Sequence, residues 1–249
     1  TGCKAETTIL EEGPLRGKLR VGYNWLLPEG LTHERNARSA RSVACKVDIE
    51  ATLESRSETL SLRCRFTNTA KDHRIRARFP VGIETSVAHA LRSFVVARED
   101  VSQITCEVGY PGQPMHDWVD VADEVAGMAF AGRGLHEYSL TREKDESVLG
   151  ITLLRSVPFV FNCGTWKSPG AQLLQTLDYE MVLMFHSGSW HQGQIAQRAA
   201  RFQTYPIVDV HGDSCPPWAG HPHCSLDLLE TEADGNQYPV DTHRSTWKR

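Results

Sequence analysis

The sequence predicts an all-β fold, a large antiparallel β-sandwich, and three stretches carry that prediction. From Lys46 to Glu54 the apolar residues Val47, Ile49, Ala51 and Leu53 fall on alternate positions. Leu60, Leu62, Cys64 and Phe66 repeat the pattern against Ser61, Arg63 and Arg65, and Ile75, Ala77 and Phe79 alternate with Arg74, Arg76 and Arg78. A period of two with charge on the opposite face marks antiparallel strands in a sheet that is wet on one side. Such a sheet is a scaffold, so function is expected in its loops, its concave face or a partner domain.

The elements follow in order. Leu19, Val21 and Tyr23 outline a strand that ends at Leu26-Leu27-Pro28-Glu29-Gly30, where Pro and Gly stop it. Residues 31–45 are rich in Arg, Ala and Ser and read as a loop or an irregular edge strand. Past Pro80, strands are expected at Ser93–Arg98, Ile104–Tyr110, Gly127–Ala131, Val148–Leu154 and Leu177–Phe185. Pro111 to Asp120 reads as a long connection, because it opens on Pro-Gly and carries a second proline. Gly188 to Ala200 holds Ile195, Ala196, Ala199 and Ala200 at helical spacing and predicts one short helix. After Val210 the pattern dissolves: residues 211–249 read as loop and tail, with one more strand at Ser225–Leu229. No repeat and no internal boundary is visible, so residues 1–249 read as a single domain.

Composition sets limits on function. Across 249 residues the formal net charge is −4, so no overall field attracts nucleic acid or an anionic membrane surface. The arginines at positions 35, 38, 41, 63, 65, 74, 76 and 78 are most simply the wet face of a sheet. No run approaches 18 apolar residues, and the N-terminus lacks the basic-then-apolar pattern of a secretory signal. The chain opens on Thr1, which fits a processed chain or one cut from something longer. Seven cysteines, with Cys45, Cys64, Cys106 and Cys163 placed singly inside strand patterns, read as buried free thiols of a cytoplasmic protein.

Candidate chemistry is sparse. His211, Asp213, Cys215, His221, His223 and Cys224 form the densest set of metal donors, but their spacing is wide and proline-laden. The simpler reading is a surface loop, and no metal is assigned. Trp118, Trp166 and Trp190 fall near expected loops, where indoles can stack on the apolar side of a sugar, or pack at the rim of a core. Asp117, Asp120, Asp123 and Glu124 make an acidic stretch beside Trp118. A glycosidase carboxyl pair needs a defined separation, and an acidic loop is ordinarily just hydrated. No nucleophile elbow, phosphate loop or dinucleotide fingerprint is present.

Several strings, in this order, resemble one family. They are Glu12-Gly13-Pro14-Leu15-Arg16-Gly17-Lys18-Leu19, then Arg78-Phe79-Pro80, then Gly134-Leu135-His136-Glu137-Tyr138, then Leu149 to Val157, and Ala171-Gln172 ahead of the Tyr179 strand. Together they are similar to the C-terminal β-sandwich region of glycoside hydrolase family 38, the α-mannosidases, and most of all to its bacterial cytoplasmic branch, which includes mannosylglycerate hydrolases. Residues 10–230 carry the resemblance.

The resemblance implies a galactose-mutarotase-like super-sandwich. It also implies retaining hydrolysis of α-mannosides by a zinc-dependent catalytic domain that precedes a helical bundle and this sandwich. Nothing here alternates β and α, so the catalytic domain and its zinc are expected outside this chain. His211-Gly212-Asp213 matches the family's His-x-Asp zinc pattern only superficially and follows no barrel strand. The implied partners are therefore the catalytic and helical domains and a carbohydrate substrate; whether copies also associate into a homo-oligomer is left open. Arg155 is the residue picked to face the substrate cleft, as a fork for sugar hydroxyls or a glycerate carboxylate, or else as a salt-bridge partner of Glu137. Tyr138 and Trp166, with Trp118, are further candidates for lining that cleft. Two alternatives stand beside this reading. One is a free-standing carbohydrate-binding protein. The other is a sugar epimerase or lyase, which would need a convergent pair such as His136 with Glu137, although neighbouring strand residues point to opposite faces.

Overall fold

The structure, a computed structural model, describes residues 5–101, 112–143, 146–159 and 166–204. Thirteen strands run through these segments: β1 (Glu6–Glu12), β2 (Arg16–Pro28), β3 (Ser42–Glu54), β4 (Thr59–Thr67), β5 (Arg74–Pro80), β6 (Val87–Leu91), β7 (Val96–Asp100), β8 (Gln113–Pro114), β9 (Trp118–Ala122), β10 (Ala126–Gly132), β11 (Glu137–Glu143), β12 (Glu146–Arg155) and β13 (Thr176–Ser187). One helix, α1 (Ile195–Gln203), follows. Every named strand pairing is antiparallel, in a nine-stranded sheet ordered β1-β2-β3-β4-β13-β10-β9-β6-β7 and a four-stranded sheet ordered β5-β12-β11-β8. The expected all-β sandwich is present.

Strand parity places the main core. Val47, Cys64, Phe66, Met181, Leu183, Met128, Phe130, Val119 and Val121 of the large sheet meet Ile75, Tyr138, Leu140, Leu149, Ile151 and Leu154 of the small one. The alternate positions point the other way. On β2, β3, β4 and β13 these carry ion pairs: Lys18 with Glu50, Arg20 with Asp48, and Arg63 and Arg65 with Asp178. Further along the same face, Trp118, Ala129, Ala131, Val182 and Met184 are apolar, and α1 covers them with Ile195 and Ala199. The large sheet therefore has a core on both sides over β9, β10 and β13.

That second layer explains the differences from the sequence reading. The stretch read as a connection contains β9, whose Trp118, Val119, Asp120 and Val121 are all buried, so no polar face is left to reveal a period of two. Val87-Ala88-His89-Ala90-Leu91 forms β6, whose outer positions carry half-buried Val87 and His89 rather than charge, while Ser93 to Val95 is a turn and only Val96 onward is strand. β1 escaped notice as an edge strand exposed on both faces, and Ser42 to Cys45 extend β3 beyond the loop expected there. The helix begins at Ile195, after turns over Gly188 to Gln194. The strands expected at Ile104–Tyr110 and Ser225–Leu229, and the loop and tail expected over 211–249, lie outside the described residues, as do Cys106, Cys163 and the donors His211, Asp213, Cys215, His221, His223 and Cys224.

Two histidines tie the fold to pH. Burial, the largest cause, holds the His89 imidazole below its ordinary value; the charge of Asp120 opposes this and Arg98 adds to it. His73 is likewise lowered, first by burial and then by Arg38, with Asp72 opposing. The unfolded chain takes up these protons near pH 6.5, whereas the native chain resists them until lower pH. Stability should therefore fall as pH drops below about 6.5. The midpoint of thermal unfolding followed from pH 7 to pH 5 should decline, and a double His73→Gln, His89→Gln variant should show a flatter profile. A slope that both histidine changes leave untouched would refute the assignment.

Candidate functional site

The candidates do not gather in one place. Arg155 ends β12 and is exposed, paired in register with Arg74 at the start of β5. The connection that follows it, towards β13, carries Trp166, which is 61% exposed. These two share one end of the sandwich with the β2–β3 and β4–β5 connections. Arg35, on the β2–β3 connection, sets its guanidinium 4.9 Å from the centre of the Phe159 ring, and Arg38 donates to the Asp72 carbonyl at 2.6 Å.

A buried polar network fixes this end. Gln172, in a single 3-10 turn over Pro169–Gln172, donates through Nε2 to Asp72 Oδ1 at 2.8 Å and accepts from the Asp72 amide at 3.0 Å. The Ser156 hydroxyl donates to Gln172 Oε1. Asn68 is almost fully buried and donates through Nδ2 to the carbonyls of Gln172 and Leu173 at 2.9 and 3.0 Å, while its Oδ1 lies 2.9 Å from His73 Nε2. Asp72 and Leu173 both adopt positive φ, 55° and 46°, so the turns they close are held by these bonds rather than by backbone preference. The loop behind Arg155 is thus clamped to the β4–β5 connection at several points. Buried and satisfied, such a network holds a loop in one geometry.

Tyr138 and Trp118 are corrections. Tyr138 is fully buried between the sheets, where its hydroxyl donates to Glu99 Oε2 at 2.8 Å and Glu99 pairs with Arg92. Burial and the Glu99 bond push its phenol well above the usual range. Trp118 is fully buried on the far side of the large sheet, its ring centroid 5.6 Å from that of Trp190. Neither ring is open to a sugar. Glu137 Oε1 accepts a 2.6 Å bond from the Thr152 hydroxyl on β12. His136 directs Nδ1 to the His116 carbonyl at 3.2 Å, so His136 and Glu137 do not converge as a catalytic pair.

A second polar cluster was not foreseen. Asp120, expected in a hydrated acidic loop, is fully buried on β9, and its Oδ1 lies 2.8 Å from Nε2 of the buried His186 on β13. His89 on β6 is Asp120's cross-strand neighbour. The fit around His186 is close: a Cβ at Gly127 would lie 2.5 Å from the ring, and one at Gly193 would lie 2.6 Å from it. The signal available in the sequence was an acid set between Val119 and Val121 and a histidine closing the apolar run Met181 to Phe185. Asp123, by contrast, does sit in the turn expected of it, accepting from the amides of Val125 and Ala126 at 2.7 and 2.8 Å.

Among the described residues no three His, Cys, Asp or Glu side chains converge to hold a metal ion. The zinc implied by the resemblance does not fit the donors described here.

No family model matches the chain. A protein of Halalkalibacterium halodurans, assigned provisionally as a mannosylglycerate hydrolase, is 27% identical over an alignment of 201 residues that covers 75% of this chain and 22% of that protein. A glycosyl hydrolase family 38 protein from Enterococcus faecalis superposes on 81% of this chain with a TM-score of 0.71 at 21% identity. An α-mannosidase from Enterococcus faecalis V583 gives 0.72 over 81% at 22% identity. The resemblance to family 38 is borne out. At these identities the two solved structures establish the sandwich fold. This chain accounts for only 25% and 24% of those two structures and 22% of the Halalkalibacterium halodurans protein, so it spans about a quarter of the length of the proteins it matches.

Proposed function

We propose that this chain is the C-terminal β-sandwich region of an α-mannosidase-like glycoside hydrolase, and that it supports the substrate cleft rather than carrying the catalytic groups. The observation behind this reading is the coverage. The match runs over four-fifths of the chain yet only a quarter of each family 38 structure. In the proposal, zinc and the reacting carboxyls belong to the catalytic part of the parent protein, acting on α-mannosides. Residues 1–249 would then behave as one domain within it. The unpaired, buried Cys45 and Cys64, the latter with its thiol pushed by burial up to about 11, support a reducing, cytoplasmic setting. No described helix is long and apolar enough to cross a membrane.

Arg155 is proposed to face the cleft, with Trp166 on the same connection. Its guanidinium stands at the end of a strand whose following loop is clamped by Ser156 and Gln172. A guanidinium at that position can donate two parallel hydrogen bonds to a carboxylate or to neighbouring hydroxyls.

The test uses aryl α-mannosides. The isolated chain should show no zinc-dependent turnover, and robust turnover would end the proposal. In the full-length product, Arg155→Ala should lower kcat/KM about 10- to 100-fold, the range expected when a charged donor to substrate is lost, with the unfolding midpoint unchanged. An unaltered kcat/KM would remove Arg155 from the cleft.

A further inference from the structure

The large sheet is wider than its cover. At about 4.8 Å per strand, nine strands span roughly 38 Å and four span roughly 14 Å, so the small sheet shields only part of the core-side face. Cross-strand rows show where the cover ends. Met181, Leu62, Ala51, Leu19 and Ile9 lie in one register from β13 through β4, β3 and β2 to β1. Along this row exposure rises from 3% at Met181 to 39% at Leu19 and 66% at Ile9. In the next row Leu183 is buried while Leu53 is 50% exposed. The row through Leu19 stays apolar as far as Ile9 on β1, whereas the row through Leu53 passes Gly17 and ends at Glu12, and the reverse side is laced with ion pairs at the same strands. A contiguous apolar surface continuous with a core marks an interface.

Edge pairing with a second copy is disfavoured by the edge itself. β1 ends in Glu11 and Glu12, and its register slips between Ile9 and Glu11, both devices that keep an edge strand from adding a neighbour. Among the described residues, the face rather than the edge is left uncovered. The family 38 relatives carry about three-quarters of their length beyond the matched region, which is ample chain to cover it.

We propose that the core-side face of β1, β2 and β3 seats an apolar segment of the parent polypeptide that lies outside this chain. The inference rests on the reading of the chain as one region of a longer hydrolase, and it names the surface by which that region is held. Leu19 and Leu53 are the central contacts, and Ile9 lies at the rim.

The experiment compares Leu19→Lys/Leu53→Lys in the 249-residue chain and in the full-length gene product, with Ile9→Lys as a milder variant should the double change impair folding. In the isolated chain the substitutions should leave the thermal midpoint within about 2 °C, since the side chains are already partly in water, and should reduce binding of an apolar dye. In the full-length protein they should lower the midpoint by several degrees and let limited proteolysis release the sandwich. An unchanged full-length midpoint overturns the docking surface. So does an isolated chain that sediments as a dimer and is split by the substitutions, because a second copy then covers the face. Wild-type turnover on aryl α-mannosides is read separately. An active enzyme indifferent to the lysines sinks the docking surface alone, and an inactive one whose midpoint still responds sinks the hydrolase reading alone. A gene product with no further chain sinks both.

Discussion

Trp118→Ala should destabilise the isolated chain by about 3–5 kcal/mol, the range for removing a large aromatic ring from a close-packed interior. The indole is fully buried between the large sheet and the segment leading into α1, stacked near Trp190 and grouped with Leu91, Ala131 and Ile195. Truncation leaves a cavity that flanking β9 and β10 cannot close, because both are tied into the ladder on either side. Trp118→Phe should recover part of the loss by keeping a ring in the site. Urea unfolding gives the measurement. A loss below about 1 kcal/mol would mean that the ring is not packed as described, and would restore the surface reading of this residue.

The second large effect is expected at Asp120. Asp120→Ala removes the partner of His186 and leaves a buried imidazole without its 2.8 Å bond. Breaking a buried polar pair from one side destabilises by about 3–5 kcal/mol when the partner is charged and by about 1–3 kcal/mol when it is neutral. Asp120→Asn keeps an acceptor in reach and should be milder. Gly193→Ala acts on the same ring from the other side, since its Cβ would lie 2.6 Å from the imidazole. If Asp120→Ala unfolds at the same urea concentration as the parent chain, then the Asp120–His186 bond contributes nothing to stability.

How much of this could be read in advance follows from where water lies. β3, β4 and β5 were legible because each has one face in solvent, and their charged positions, Asp48, Glu50, Arg63, Arg65, Arg76 and Arg78, mark that face unambiguously. β6 and β9 were not, because β9 is buried on both faces and the outer positions of β6 carry half-buried Val87 and His89 rather than charge. The tryptophans show the same limit. Trp166 fell on a loop as expected, but the indole of Trp118 belonged to a core that exists only once α1 is laid against the sheet.

Local pattern alone determined the all-β class, the antiparallel pairing of the central strands and the family likeness, since these depend on short-range periodicity and on strings a few residues long. Tertiary structure decided which acids and rings are wet, which loop is clamped behind Arg155 and where the small sheet stops short of the large one. Those outcomes turn on contacts between residues far apart in the chain: Asp120 with His186, Ser156 with Gln172 and Gln172 with Asp72. The desolvation that gives such contacts their strength is a property of the packed layers, and no stretch of the chain carries it by itself.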